Sequence, residues 1–301
     1  MHYQVYLRVR RGGTGIPYEL ARTEFLAVFG DAVLSVVCEL PSRRRMWVDL
    51  SITQDAVAAI ASDLGYTEAI LHLEYERYAD ENLCQTDRGR WRTGWIREGE
   101  QKIRQTEVYV QDKAALLQDA PSNRMFEIQE QGQKRKAFGH RSHRAVSNLD
   151  ARFLFNVVKA KPTDLIYDPF AGYGGFVEEA RRRGLRIIAS DIDSVLSPGL
   201  SSLAPDCFCL ADARCLPLPS DHVDLILTEP PFRTAYRQSV LESVVELHRV
   251  LKPRGRLVLL VSADMREGVR IAVERSEGRV DLIDVIPRNG GMKCPLLIAT
   301  F

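Results

Sequence analysis

The chain of 301 residues has no CxxC pair, and none of its six cysteines, at 38, 84, 207, 209, 215 and 294, has a histidine at ligand spacing, so no metal site is expected. Cys207 and Cys209 alternate around Phe208 and read as packed small hydrophobes. No apolar run approaches the length of a membrane span, and MHYQVYLRVRRGG lacks the features of a signal peptide. These absences predict a cytoplasmic protein in a reducing setting, without a membrane partner. Charge of one sign is also lacking: 41 basic against 40 acidic residues leave a net +1, so any polyanion-binding surface must be local. Neither an internal repeat nor a GxxxxGK run followed by Ser or Thr occurs, which excludes repeat arrays and the P-loop.

What is present starts with DPFAGYGGF, Asp168 to Phe176. The apolar run Leu165-Ile166-Tyr167 precedes it, and helical spacing follows from Phe176 to Arg183. The glycines at 172, 174 and 175 remove side chains where the backbone turns sharply and let a ligand lie against it. Val177 occupies the place of the third glycine of the dinucleotide fingerprint, which counts against a nicotinamide or flavin site. By itself such a turn is equally compatible with a plain strand-to-helix connection.

Further strand ends follow in register. Leu185 to Ser190 runs into Asp191-Ile192-Asp193, a second carboxylate about twenty residues on, where a ribose diol is commonly held. Asp206 to Leu210 precedes Ala211-Asp212-Ala213, Val223 to Thr228 precedes Glu229-Pro230-Pro231-Phe232, and Arg256 to Ser262 follows an LKPRG turn. Asp281 to Ile286 and Pro295 to Phe301 flank turn residues and read as a closing hairpin.

From about Asn148 to Phe301 these motifs, in this order, resemble the class I S-adenosylmethionine-dependent methyltransferases. The resemblance implies a seven-stranded Rossmann-like sheet with its last strand antiparallel, and S-adenosyl-L-methionine as cofactor. It also implies that Asp168, Phe170, Ala171, Gly172, Tyr173, Gly174 and Gly175 hold the methionine part, Asp191 and Ile192 meet the ribose side, and Asp212 and Ala213 meet adenine.

The fourth motif is similar to the Asp, Asn or Ser, Pro-Pro, aromatic signature of enzymes that methylate an exocyclic amine of a nucleobase. Such an amine has its lone pair delocalised, so the site must draw off its hydrogens. Glu229 and the Pro230 carbonyl could accept them, Pro230 and Pro231 fix the backbone without competing N–H groups, and Phe232 offers a face for a flipped base.

Within that group, Lys136 to Ala180 resembles the tRNA guanine-N2 methyltransferases acting at position 10, through Lys161-Pro162, Asp168-Pro169-Phe170 and Glu179-Ala180. Pro17 to Gly30 resembles the opening of that family's ferredoxin-like domain more loosely. The resemblance implies tRNA as partner. Lys134, Arg135, Lys136, Arg141 and Arg144 form a basic run without acids that could meet its phosphates, and Arg233 could meet another.

Two positions depart from the family. Tyr173 stands where threonine is usual, and Glu229 stands for aspartate, carrying its charge roughly an ångström further out, which reads as a changed substrate or pose. A DNA amino-methyltransferase, a small-molecule methyltransferase and a non-catalytic cofactor-binding scaffold stay open as alternatives. The domain expectation is a ferredoxin-like α+β domain over 1–80, a polar, basic connecting region or reduced THUMP-like element over 81–145, and the methyltransferase domain over 146–301.

Overall fold

The computed structural model describes residues 1–8, 10–11, 14–75, 94–98, 101–110, 146–288 and 292–301. The basic run from Lys134 to Arg144 therefore lies outside the described residues. The chain divides into two compact units, Met1–Ala114 with Arg152–Lys159, and Ala115–Ala151 with Ala160–Phe301.

The first unit contains β1 (His2–Leu7), α1 (Tyr18–Phe29), β2 (Val33–Leu40), β3 (Arg45–Leu50), α2 (Gln54–Ala61), β4 (Thr67–Tyr75), β5 (Gly94–Glu98) and β6 (Gln101–Val110). Its sheet runs β2-β3-β1-β4-β6-β5 with every pairing antiparallel. β1 is central, and Tyr3 to Leu7 are all buried, as a strand packed on both faces requires. α1 opens after Pro17, whose φ of −57° suits a helix start, and buries Leu20, Ala21, Glu24, Phe25 and Phe29 along one stripe. Thr53 caps α2 by accepting from the Ala56 amide at 3.3 Å. The buried Glu24 is satisfied by the amides of Gly65 and Tyr66, at 2.7 and 2.6 Å, and by Asn156 Nδ2 at 2.8 Å.

β5 and β6 lie within the 81–145 stretch expected as a connecting region. Their polar sequence hides them from hydrophobic periodicity; the backbone of β4 supplies the hydrogen-bonding edge on which they assemble. The unit boundary therefore falls later than residue 80, and Arg152–Lys159 groups with the first unit, not with the expected domain over 146–301.

The second unit follows an alternating pattern: β7 (Leu165–Asp168), α4 (Gly175–Arg182), β8 (Arg186–Asp191), α5 (Ser197–Leu203), β9 (Phe208–Leu210), β10 (Val223–Thr228), α6 (Arg237–Val250), β11 (Leu251–Leu260), α7 (Arg266–Arg275), β12 (Arg279–Pro287) and β13 (Lys293–Thr300). Helix α3 (Asn148–Val157) precedes β7 and contributes its first turn here. The sheet order is β9-β8-β7-β10-β11-β13-β12. Strands β7 to β11 pair in parallel, and β13 runs antiparallel to both β11 and β12. This is a Rossmann-like sheet, and its order reverses between β7 and β10.

On one side of the sheet, α6 and α7 bury Val240, Val244, Leu247, Val269 and Val273 with Tyr167, Ile226, Leu257 and Leu259. The LKPRG segment bulges out at the start of β11: Val223 pairs with Leu251 and Leu225 with Arg256, with Arg254 at a φ of 64°. Cys207 is exposed and Cys209 half-buried, so neither is the packed core residue expected, because the short β9 is an edge strand.

Candidate active site

Parallel strands deliver their carboxyl ends to one edge of the sheet, and a crevice opens there where strand order reverses. Asp168 closes β7, Asp191 closes β8, Asp212 follows β9 by two residues, and Glu229 follows β10. The expected residues thus stand on four neighbouring strand ends. Thr228, which the sequence reading overlooked, ties two of them: its hydroxyl donates to Asp168 Oδ1 at 2.6 Å. The Gly172 amide donates to Asp191 Oδ2 at 2.8 Å and the Asp193 amide to Asp191 Oδ1 at 2.9 Å, fixing the glycine turn on the second strand end.

The three glycines separate by role. Gly172 and Gly174 have φ of 53° and 79°, in the left-handed region that favours glycine. A Cβ on Gly174 would stand 2.6 Å from Leu203 Cδ1, and one on Gly175 would stand 2.8 Å from the Val146 carbonyl. Those two are glycines for packing. A Cβ on Gly172 would meet only the Phe170 carbonyl, at 3.8 Å, so this turn faces open space. Gly172→Ala is expected to weaken ligand binding at least tenfold with a strain of about 1–2 kcal/mol. Gly174→Ala is expected to cost about 2–4 kcal/mol of stability through overlap and strain. Calorimetric titration and thermal melting of both variants check this ranking; the reverse order would contradict it.

Electrostatics distinguishes the acids. Burial pushes the Asp168 carboxyl up to about 7, against hydrogen bonds from Thr228 and the Phe170 amide, and Asp191 and Glu229 add repulsion. Burial also raises Asp191. Asp212 is pulled down by Arg214, whose Nη2 donates to Oδ2 at 2.7 Å. Its side chain is therefore engaged with Arg214, although the resemblance assigned it to adenine. Ile192 and Leu210, 65% and 55% exposed, leave apolar surface beside Asp191 and Asp212, while Ala213 is buried. Tyr173 and Phe170 are half-buried, and Ala171 is buried with its amide on the Ser190 carbonyl at 2.9 Å.

Glu229 has a partner that the sequence did not announce. Arg288 Nη2 donates to its Oε1 at 2.5 Å and its Oε2 at 2.7 Å, while Arg288 Nη1 donates to Asp150 Oδ2 at 2.7 Å. Pro230 is buried, and Pro231 and Phe232 are half-buried. Among the described residues, no group of three or more His, Cys, Asp or Glu could hold a metal ion, and no helix is long and apolar enough to cross a membrane.

A family model described as a methyltransferase domain matches residues 168–259. The chain is 30% identical over 123 residues to a tRNA (guanine(10)-N2)-dimethyltransferase of Methanocaldococcus jannaschii, covering 36% of this chain and 35% of that protein. It is 31% identical over 127 residues to a probable tRNA (guanine(10)-N2)-dimethyltransferase of Methanothermococcus thermolithotrophicus, covering 37% of this chain and 78% of that protein. A third relative, from Methanothermobacter thermautotrophicus, is 35% identical over 88 residues, 27% of this chain and 26% of its own length. The chain thus spans about a third or less of the length of two of these relatives. Among solved structures, a SAM-dependent methyltransferase from Aquifex aeolicus is similar at 16% identity and a TM-score of 0.40, over 50% of this chain and 89% of that one.

The residues present fit a cationic nucleoside cofactor. Gly172 leaves a cradle that a side chain would fill, buried acids complement positive charge, and the exposed Ile192 and Leu210 can cover an aromatic ring. The chain belongs to the class I S-adenosylmethionine-dependent methyltransferases, and its cofactor is S-adenosyl-L-methionine.

Proposed function

We propose that the protein methylates an exocyclic amine of a nucleobase, guanine N2 in tRNA, with Glu229, Pro230, Pro231 and Phe232 as the acceptor site. The observation that carries this reading is the position of that motif directly after β10, beside the Asp168 strand end to which Thr228 is bonded. The names of the relatives support guanine in tRNA as the acceptor.

The bound cofactor supplies an electrophilic methyl on its sulfonium. Asp168 would hold the methionine ammonium, Asp191 the ribose diol, and the backbone around Asp212 and Ala213 the adenine edge. Glu229 would accept a hydrogen bond from the guanine amine or the adjacent ring N–H, the Pro230 carbonyl would accept one from the second amine N–H, and Phe232 would stack the base. As the amine lone pair takes the methyl, the sulfur–methyl bond breaks, the thioether leaves, and the amine's proton is lost to solvent. These groups act by aim and by preorganised charge.

Beyond the motif, Arg233, Tyr236 and Arg237 are all exposed, with Tyr236 at 47%. Two guanidiniums flanking an exposed ring suit a single-stranded flank of the target nucleotide. The first unit reads as a ferredoxin-like RNA adaptor, since β2-β3-β1-β4, with helices after β1 and β3, is the strand order of that fold. The basic run Lys134 to Arg144 is proposed as a phosphate contact on charge alone.

Occupation of Glu229 by Arg288 favours a second reading, a scaffold that binds cofactor without transferring methyl groups. Transfer of labelled methyl to bulk tRNA and to duplex DNA tests both. The proposal expects transfer to tRNA and little to duplex DNA; preference for DNA, or cofactor binding with transfer to neither, contradicts it.

A further inference from the structure

We propose that Arg288, anchored by Asp150, is a positioning residue that keeps Glu229 ionised and aimed at the acceptor amine. The inference rests on the reading of Glu229 as the acceptor-facing acid.

Three side chains from distant parts of the second unit meet here. Asp150 lies in the first turn of α3, Glu229 follows β10, and Arg288 follows the last residue of β12 in the hairpin to β13. Their side chains are 0%, 9% and 9% exposed. The Arg288 amide donates to the Met292 carbonyl at 2.8 Å across the hairpin, so its backbone is fixed as well as its head group.

Removing two carboxylates and a guanidinium from water is unfavourable unless the geometry compensates. Here one guanidinium nitrogen serves each acid, a division that the planar fork of arginine allows and the single ammonium of lysine does not. Glutamate has one more rotor than the aspartate usual at this motif. The contacts at 2.5 and 2.7 Å immobilise it and give the longer side chain a defined direction. A carboxylate offers about four acceptor sites, of which the guanidinium uses one on each oxygen. The clamp is thus compatible with accepting a hydrogen from the amine.

Among the described residues, charged groups near Glu229 include Arg288 from the hairpin, Asp150 reached through it, and Asp168 from β7, which Glu229 repels. Removing the guanidinium takes away an attraction that favours the charged carboxylate and leaves the repulsion with Asp168, so the balance at Glu229 moves toward its protonated form.

Arg288→Gln alone removes the guanidinium that two buried carboxylates share and threatens the fold. The working variant is therefore D150N/R288Q, which removes one charge of each sign. Carbon-13 NMR of the full chain with carboxyl-labelled glutamate follows Glu229, assigned by its loss in Glu229→Gln.

The Glu229 signal of the double variant is expected to titrate at higher pH than that of the wild type, because the cation that favours its charged form is gone. On bulk tRNA the double variant is expected to lose about a hundredfold in kcat with S-adenosylmethionine affinity within about twofold of wild type. Arg288→Lys, which keeps the charge and loses the fork, is expected to leave the Glu229 titration close to that of the wild type, with an intermediate kcat. A Glu229 titration in the double variant that is not shifted from the wild type, or an unchanged kcat, overturns the proposal. The titration needs no acceptor, so a wild type that methylates no tRNA would defeat the functional reading while the NMR still decides the role of Arg288.

Discussion

Asp168→Asn is expected to bind S-adenosylmethionine at least a hundredfold more weakly than wild type, yet to melt higher without ligand above neutral pH. Both effects come from one buried carboxyl pushed up to about 7. Because its folded value lies above the unfolded one, its stabilising contribution is fully present below about pH 4 and is lost as pH rises through about 7. The loss approaches roughly 4 kcal/mol at high pH, at about 1.4 kcal/mol per unit. Asparagine keeps an oxygen for the Thr228 hydroxyl, now 2.6 Å from Oδ1, and removes the charge. Melting temperatures of the two proteins should therefore coincide near pH 4 and separate by several degrees near pH 8.5. A cationic ligand reverses the balance, so wild-type affinity should rise with pH through about 7 and binding near pH 6 should release a proton. Calorimetry in two buffers of different ionisation enthalpy measures that proton. A pH-independent gap in melting temperature, or unchanged affinity in the variant, would refute this account of Asp168.

Glu229→Gln carries the second large effect: methyl transfer to tRNA is expected to fall roughly 100- to 1,000-fold, the usual range for one preorganised electrostatic group. Cofactor affinity should stay within about twofold of wild type, because Asp168 and Asp191 remain. Single-turnover transfer and calorimetry separate the two readouts. Equal loss in both would mean that Glu229 supports the fold of the site and does not face the acceptor.

Much of this site could be read in the chain because its parts are local. An apolar strand ending in an acid, followed by a turn, is a contiguous signal, and Asp168, Asp191 and Glu229 stand at strand ends where such signals put them. Helices α1 and α2 followed from their spacing. What escaped the sequence is non-local. Arg288 reaches Glu229 across 59 positions and Asp150 across 138, and no periodicity links them; PRNGG read only as a turn. Asp150 did leave a trace, as a charged residue between the buried Leu149 and Ala151. Thr228 looked like the last residue of an apolar strand, and only the fold brings its hydroxyl to Asp168. Gly174 and Gly175 looked identical in kind to Gly172, and the difference lies in Leu203 and Val146, which no spacing rule connects to them.

The most direct test of the central claim is nucleoside mass spectrometry of tRNA incubated with the purified protein and S-adenosylmethionine carrying a trideuterated methyl. The account predicts N2-methylguanosine with the heavy methyl for the wild type and its near absence for Glu229→Gln. A heavy methyl on another nucleoside, or none on tRNA although the protein binds cofactor, would contradict it.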